Sequence, residues 1–265
     1  MDKATDNAAI LEVAVAAARE AGEILMGALG NLAGTRIKSK SAARDLVTVA
    51  DVASERLLVQ RLRAAFPDHA IEAEEEVMDA PGDGPRWFLD PLDGTINFVH
   101  ELPVFAVSMG LFVDGQPEVA VVHAPRLNET FTAIRGGGAF LNGEPIHVST
   151  AATLGDSILA TGFPYRRNEL EHDNLANLGR FFYDVRGLRR LGSAAIDLAY
   201  VAAGRLDGYW ELHLSPHDVA AGALLVREAG GLVTDADGGE EWLRGGHIVA
   251  SGPGIHAAMR GRVLH

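Results

Sequence analysis

The stretch Asp90-Pro91-Leu92-Asp93-Gly94-Thr95-Ile96-Asn97-Phe98 holds the densest set of reactive side chains in the chain. The apolar run Trp87-Phe88-Leu89 leads into Asp90, Pro91 stiffens the exit, Asp93 follows three residues on, and Gly94-Thr95 can open a short helix. Two carboxylates thereby converge beside free backbone N–H groups. Oxygen donors of this kind suit a hard divalent cation such as Mg²⁺, which engages a few carboxylates together with a substrate phosphate. A helix N-terminus offers N–H donors to that same phosphate. The spacing therefore predicts metal-assisted phosphate chemistry, although Asp93-Gly94 taken alone reads as a turn with Asp93 capping a helix.

Three other acidic positions bear on that choice. Glu74-Glu75-Glu76 follows the short apolar run at Ala70-Ile71, Asp51 closes Asp45-Leu46-Val47-Thr48-Val49-Ala50-Asp51 at a helix start, and Asp218 opens the apolar helix of Pro216-His217-Asp218-Val219-Ala220-Ala221-Gly222. Singly these read as a solvated charge run and two N-caps.

The elements that must position them follow from periodicity. A helix is expected over residues 7 to 27, closed by Gly30, and a second over Asp51 to Phe66, stopped by Pro67. Short strands are expected at Ala70-Ile71 and Trp87 to Leu89, each ending in acids. From Val104 to Val148 the pattern predicts an antiparallel sheet: strands Val104 to Val113, Glu118 to His123 and Glu129 to Ile134, with turns at Asp114-Gly115, Gly136-Gly137-Gly138 and Asn142-Gly143. Beyond about residue 150 strands and helices alternate. Helices are expected near Glu169 to Phe182, Ser193 to Ala203, Asp218 to Ala229 and at the end; strands near Ile158 to Thr161, Asp184 to Leu188, Gly208 to Leu212, Leu232 to Thr234 and His247 to Ala250. No linker separates the halves, so 1–150 (α+β) and 151–265 (α/β) are expected to form one body of two sheets packed with helix layers.

The 265 residues are 48% hydrophobic and 22% charged, an ordinary globular composition that excludes a disordered or fibrous chain. A net charge of −13 repels nucleic-acid phosphates and suits a protein that concentrates cations, so no direct nucleic-acid partner is expected. The absence of cysteine excludes disulfides, thiolate metal sites and a cysteine nucleophile. Met1 to Asp6 lack the basic start of a signal peptide, and no run of about 18 apolar residues occurs, so no membrane span is expected and the cytoplasm is the expected location.

Together these segments resemble the inositol monophosphatase family, within the Mg²⁺-dependent, lithium-sensitive sugar-phosphatase superfamily. Asp90 to Phe98 matches the family's Asp-Pro-(Ile/Leu)-Asp-Gly-Thr-x-Asn-Phe signature, and Asp218 to Gly231 (DVAAGALLVREAGG) matches its second signature. The resemblance implies an α+β layered sandwich (α-β-α-β-α), a homodimer, and Mg²⁺-dependent hydrolysis of the phosphate monoester of a small polyol. Inositol monophosphate is the default substrate; relatives use histidinol phosphate, fructose 1,6-bisphosphate or nucleotide 3′-phosphates. It further implies that Glu74, Asp90 and the Leu92 carbonyl hold one Mg²⁺, that Asp90, Asp93 and Asp218 hold a second, and that a weaker third shares Glu74. Asp51 and Thr95 would orient the attacking water, completing with Glu74 the catalytic set. The N–H groups of Gly94 and Thr95 would grip phosphate beside Asp93 and Asp218, and Ala194 and Glu211 would meet substrate hydroxyls. Some bacterial relatives also bind the transcription machinery, a role additional to catalysis.

The chain departs from the family at Ala73 and Ile96, where Gly and Thr are usual, and at His217, where Trp is usual; none of these removes a ligand. His217 is expected to pack or hydrogen-bond beside the second metal, with ligation as the alternative. Arg166 and Arg167 could meet a second phosphate or form a solvated pair. The Asp-x-Asp-x-Thr loop of aspartyl-phosphate phosphatases is absent, so attack by water is expected in place of a phosphoenzyme.

Overall fold

Helix α1 (Lys3–Ala28) and helix α2 (Val49–Ala65) lie side by side on one face of a seven-stranded sheet in this computed structural model, which describes residues 3–31, 38–39 and 46–264. Asp45 lies outside the described residues. A two-residue antiparallel ladder pairs β1 (Lys38–Ser39) with β2 (Leu46–Val47). The large sheet runs in chain order: β3 (Ala70–Ala73), β4 (Arg86–Asp93), β5 (Ala106–Val113), β6 (Gln116–Ala124), β7 (Glu129–Ile134), β8 (Gly138–Leu141) and β9 (Glu144–Ile146). Only the β3 and β4 pair is parallel within it. Between β4 and β5 sits the short helix α3 (Thr95–Val99).

A five-stranded sheet follows, in the order β11-β10-β12-β14-β13, built from β10 (Ile158–Thr161), β11 (Gly187–Arg189), β12 (Gly208–Leu212), β13 (Leu232–Thr234) and β14 (His247–Ser251). Its helices are α4 (Leu175–Phe182), α5 (Ala194–Ala202), α6 (Pro216–Glu228) and α7 (Pro253–Arg260).

Three apolar interfaces stack these layers. Trp87 and Leu89 on one face of β4 meet Leu25 of α1 and Leu58 and Leu62 of α2, while Phe88 between them points the other way. Burial on both faces explains why this strand reads as an unbroken apolar run. Phe88, Phe112 and Val122 then pack against Leu198 of α5 and Leu224 of α6, which rest in turn on Tyr209 and Ile248 of the small sheet. On its far side Leu159, Trp210 and Val249 are covered by Phe181 of α4 and Met259 of α7. The order is α1 and α2, large sheet, α5 and α6, small sheet, α4 and α7: the expected α-β-α-β-α sandwich. Each fully buried leucine in these layers contributes about 1.5–3 kcal/mol over an exposed one.

Helix α6 lies almost on the backbone of β5. A Cβ at Gly110 would stand 2.8 Å from Ala220 Cβ and 2.9 Å from Ala221 N, so only hydrogen at that position permits the approach.

Two expectations need correction. Helix α4 starts at Leu175 and not near Glu169, because buried Asn174 turns left-handed (φ 73°) and spends its side chain on Thr161, Gly162 and Trp210. Strand β4 does not end at Asp90 but continues through Asp93. Among the described residues no helix is long and apolar enough to cross a membrane.

Candidate metal and phosphate site

The continuation of β4 arranges the first two acids. Asp90 pairs with Ser108 of β5 and Asp93 with Ala106, so three steps on β4 answer two on β5. In a regular strand residues three apart face opposite ways. The extra residue at Pro91-Leu92 resets the alternation and turns both carboxylates to one side. Asp90 accepts the Leu92 N–H at 3.0 Å. Asp93 Oδ2 accepts the Ser193 hydroxyl at 2.5 Å and the Ala195 N–H at 2.7 Å, so the start of α5 fixes its rotamer.

Gly94 then takes a left-handed turn (φ 91°) that starts α3 at Thr95, and a Cβ there would meet the Val104 carbonyl at 2.9 Å. Positive φ and close approach together require glycine. The Thr95 hydroxyl lies 3.1 Å from Asp51 Oδ1 and 3.1 Å from the Leu92 carbonyl, with one proton to donate between them. Asp51 is completely buried and its other oxygen accepts the Thr48 N–H (2.9 Å) and hydroxyl (2.5 Å). It occupies the third position of α2 and not the N-cap, which is Thr48.

Asp218 stands at the same position of α6, its Oδ2 accepting the Ser215 N–H at 2.6 Å. Ligand atoms of Asp90, Asp93 and Asp218 lie within 4.8 Å of one another. Glu74, just past β3, falls outside this group but lines the same cavity of about 610 Å³ with Asp93 and Asp218. Ala194 and Glu211 line the same cavity with Ser193, Tyr165, Arg166, Arg190 and His213. The Arg166 guanidinium is paired with Glu169, and Arg167 is half-buried and does not line the cavity. His217 lines the cavity with Nε2 3.9 Å from Asp218 Oδ1. Among the described residues no histidine joins a metal-binding group, and Trp87 and Trp210 are core residues.

Charge is crowded here. Burial, then the charges of Glu74, Asp93 and Asp218, hold the Asp90 carboxyl well above the usual carboxylate range. Burial, aided by Asp218 and Glu74 and opposed by the bonds from Ser193 and Ala195, pushes Asp93 up to about 7. Asp51 is raised mainly by burial, against its bonds from Thr48. Glu211 rises to about 7 through burial, opposed by the Tyr209 hydroxyl that donates to it. Buried acids this close are costly unless a cation lies among them. An all-oxygen donor set of this kind fits a hard divalent ion, so the group can hold a metal.

Several contributors escaped the sequence reading. Ser193 orients Asp93, Tyr209 holds Glu211, Thr48 secures Asp51, and buried Asp197 is also raised well above the carboxylate range by burial and by Glu211. A signal existed for Thr48, since a hydroxyl residue three before an acid marks a capped helix start.

The sequence pattern described as "Inositol monophosphatase family" matches residues 6–264. Over 251 residues the chain is 44% identical to the Escherichia coli (strain K12) protein named Nus factor SuhB, covering 94% of each. The extragenic suppressor protein suhB of Bartonella henselae superposes with a TM-score of 0.88 at 40% identity, over 96% of this chain and 98% of that one. An inositol monophosphatase from Anabaena does so at 0.87 and 40%, over 96% and 94%. Pattern, identity and fold agree, and the chain belongs to the inositol monophosphatase family.

Proposed function

We propose that this protein hydrolyses the phosphate monoester of a small polyol with Mg²⁺, inositol monophosphate being the first candidate, to give the free polyol and inorganic phosphate. The observation that carries this reading is the convergence of Asp90, Asp93 and Asp218 within 4.8 Å, at a cavity that Asp93 and Asp218 line together with Ala194 and Glu211. Glu74, Asp90 and the Leu92 carbonyl would hold one Mg²⁺, and Asp90, Asp93 and Asp218 a second. When bound, these ions supply the Lewis-acid charge that phosphate-monoester hydrolysis needs.

The chain's own groups do the rest. The N–H groups of Gly94 and Thr95 bind phosphate oxygens at the turn that the left-handed glycine creates. The Thr95 hydroxyl and Asp51, 3.1 Å apart, orient the attacking water, and Asp51 accepts its proton. A carboxyl raised by burial suits that task, being more basic than an exposed one. Glu211, held by Tyr209, and the start of α5 at Ala194 receive the polyol hydroxyls. The P–O bond to the polyol breaks as water oxygen bonds to phosphorus, and the departing alkoxide is protonated from water.

Phosphate release should be screened over inositol, histidinol, fructose 1,6-bis- and nucleotide 3′-phosphates, with Mg²⁺ and with chelator. Mg²⁺-dependent release from an inositol monophosphate is expected; no release from any member would overturn the reading. A second reading is favoured by the name of the curated relatives, Nus factor: association with the transcription machinery in addition to catalysis. Capture of RNA polymerase by an Asp90→Asn variant as well as by the native chain would support it, and its absence from both would remove it. The homodimer belongs to the same proposal, and light scattering decides it.

A further inference from the structure

Asp51 and Glu55 stand four residues apart in α2, one above the other on the same face. Asp51 reaches Thr95. Glu55 reaches the loop that carries Glu74. Only 1% exposed, its carboxylate accepts three backbone N–H groups in a row, from Glu75 at 2.7 Å on one oxygen and from Glu76 and Val77 at 2.7 and 2.9 Å on the other. The next residue, Arg56, binds the exposed side chain of Glu76 at 3.0 and 3.1 Å. On the near side of the loop, the Glu74 N–H donates to the Leu89 carbonyl at 3.1 Å, and Ala73 N–H to the Val77 carbonyl at 2.8 Å. Glu72, buried at the end of β3, is gripped by both terminal nitrogens of Arg244 at 2.7 Å.

Three successive glutamates would not by themselves come to rest beside Asp90 and Asp93, because like charges repel. The backbone of the loop must be held by something other than its side chains. A carboxylate accepting three amides does this and gives direction as well as strength, since each N–H points at one fixed group. Arg56 draws Glu76 outward, and Glu74 is left lining the cavity. Four residues of helix separate the two anchor points by about 6 Å along the axis.

We infer that Glu55 is a positioning residue of the metal site: by fixing the 75–77 backbone one helical turn from Asp51, it sets where Glu74 stands and thereby the affinity for the divalent cation. The inference rests on the metal-dependent reading above. It differs from a purely structural role in one respect: the carboxylate governs metal affinity beyond its effect on folding.

The test is calorimetric Mg²⁺ titration of the native chain and of Glu55→Gln, with the melting temperature of each in chelator. Glutamine keeps one acceptor oxygen and turns an N–H₂ group toward a backbone N–H, so the loop loses its anchor while the volume is kept. Mg²⁺ affinity should fall about 10–100-fold, the range for partners that orient metal ligands. The Mg²⁺ concentration for half-maximal turnover should rise in step, and substrate KM at saturating Mg²⁺ should stay near native. Unchanged affinity in a folded Glu55→Gln overturns the inference, whereas a native chain that binds no Mg²⁺ overturns the metal reading beneath it. If Glu55→Gln does not fold, hydrogen exchange at residues 75–77 of the native chain decides. Equal protection in chelator and in Mg²⁺ supports a loop set by Glu55; protection that appears only with Mg²⁺ refutes it.

Discussion

Helices α2 and α6 open with the same device and use it differently. In each, a hydroxyl residue precedes an aspartate by three, and the aspartate accepts the backbone N–H of that residue: Thr48 and Asp51, Ser215 and Asp218. Asp51 is buried, held by Thr48 twice and by Thr95. Asp218 faces the cavity beside Asp90 and Asp93. One local signal thus produces a buried carboxylate suited to holding a water and a cavity-facing one suited to holding a cation. The docking of each helix decides between them.

Substitutions that keep the cap but remove the charge test this contrast most severely. Asp218→Asn and Asp51→Asn should each retain the bond from the cap residue and lower kcat by at least about a hundredfold, within the range for metal-assisted and general-base steps. Only Asp218→Asn should also weaken Mg²⁺ binding in a titration; equal loss of metal in Asp51→Asn would erase the distinction. Asp90→Asn, which removes a carboxylate proposed to serve both metals, should lose both turnover and metal affinity.

The next effect is on stability against pH. Asp93 moves from 3.8 to about 7 and Glu211 from 4.5 to about 7 on folding. The folded chain therefore binds more protons than the unfolded one between about pH 4 and 7, and stability is greatest below the unfolded values and is lost as pH rises through the folded ones. In chelator the melting temperature should fall by several degrees, on the order expected for a domain of this size, between about pH 5 and 8. Mg²⁺ should restore more of it at pH 8 than at pH 5. A flat or rising chelator profile would contradict the crowding of charge described above.

The smallest effects come from the cap residues. Thr48→Ala removes a hydroxyl that accepts from Ala50 N–H and donates to Asp51, so it should cost about 1 kcal/mol and also lower kcat. Ser215 donates its backbone N–H to Asp218, which alanine keeps, and its side chain closes the capping box without touching the Asp218 carboxylate. Ser215→Ala should therefore cost about 0.5–1 kcal/mol and leave kcat near native. Denaturant melts and turnover at saturating substrate compare the two.

The acids themselves were legible from sequence, because Asp90, Asp93 and Asp218 sit in short, dense motifs beside apolar runs. What turns them toward one another was not. The β4 bulge is a register slip against β5, visible only once the strands pair. Ser193 reaches Asp93 across 100 residues, and Asn174 shortens α4 by binding Trp210, 36 residues away. Glu55 looks like any polar residue of an amphipathic helix until the loop at 75–77 is laid against it. Two sheets packed with helix layers followed from the alternation between Val104 and Val148 and the alternating elements after residue 150, whereas the five-layer order came with the family resemblance. Element starts depended on partners far along the chain.

The hydrogen-only contact between Gly110 and α6 has a consequence for inheritance. Alanine at Gly110 would push directly on Ala220 and the Ala221 backbone, two and three residues beyond Asp218. The helix is stiff, so displacement at its second turn is passed to its first. A mutation in the middle of a strand, touching neither metal nor substrate, would thus present as an enzyme with weakened cation affinity. Screens that rank positions by distance from the cavity would pass over it, and selection on catalysis alone would still keep that strand position empty.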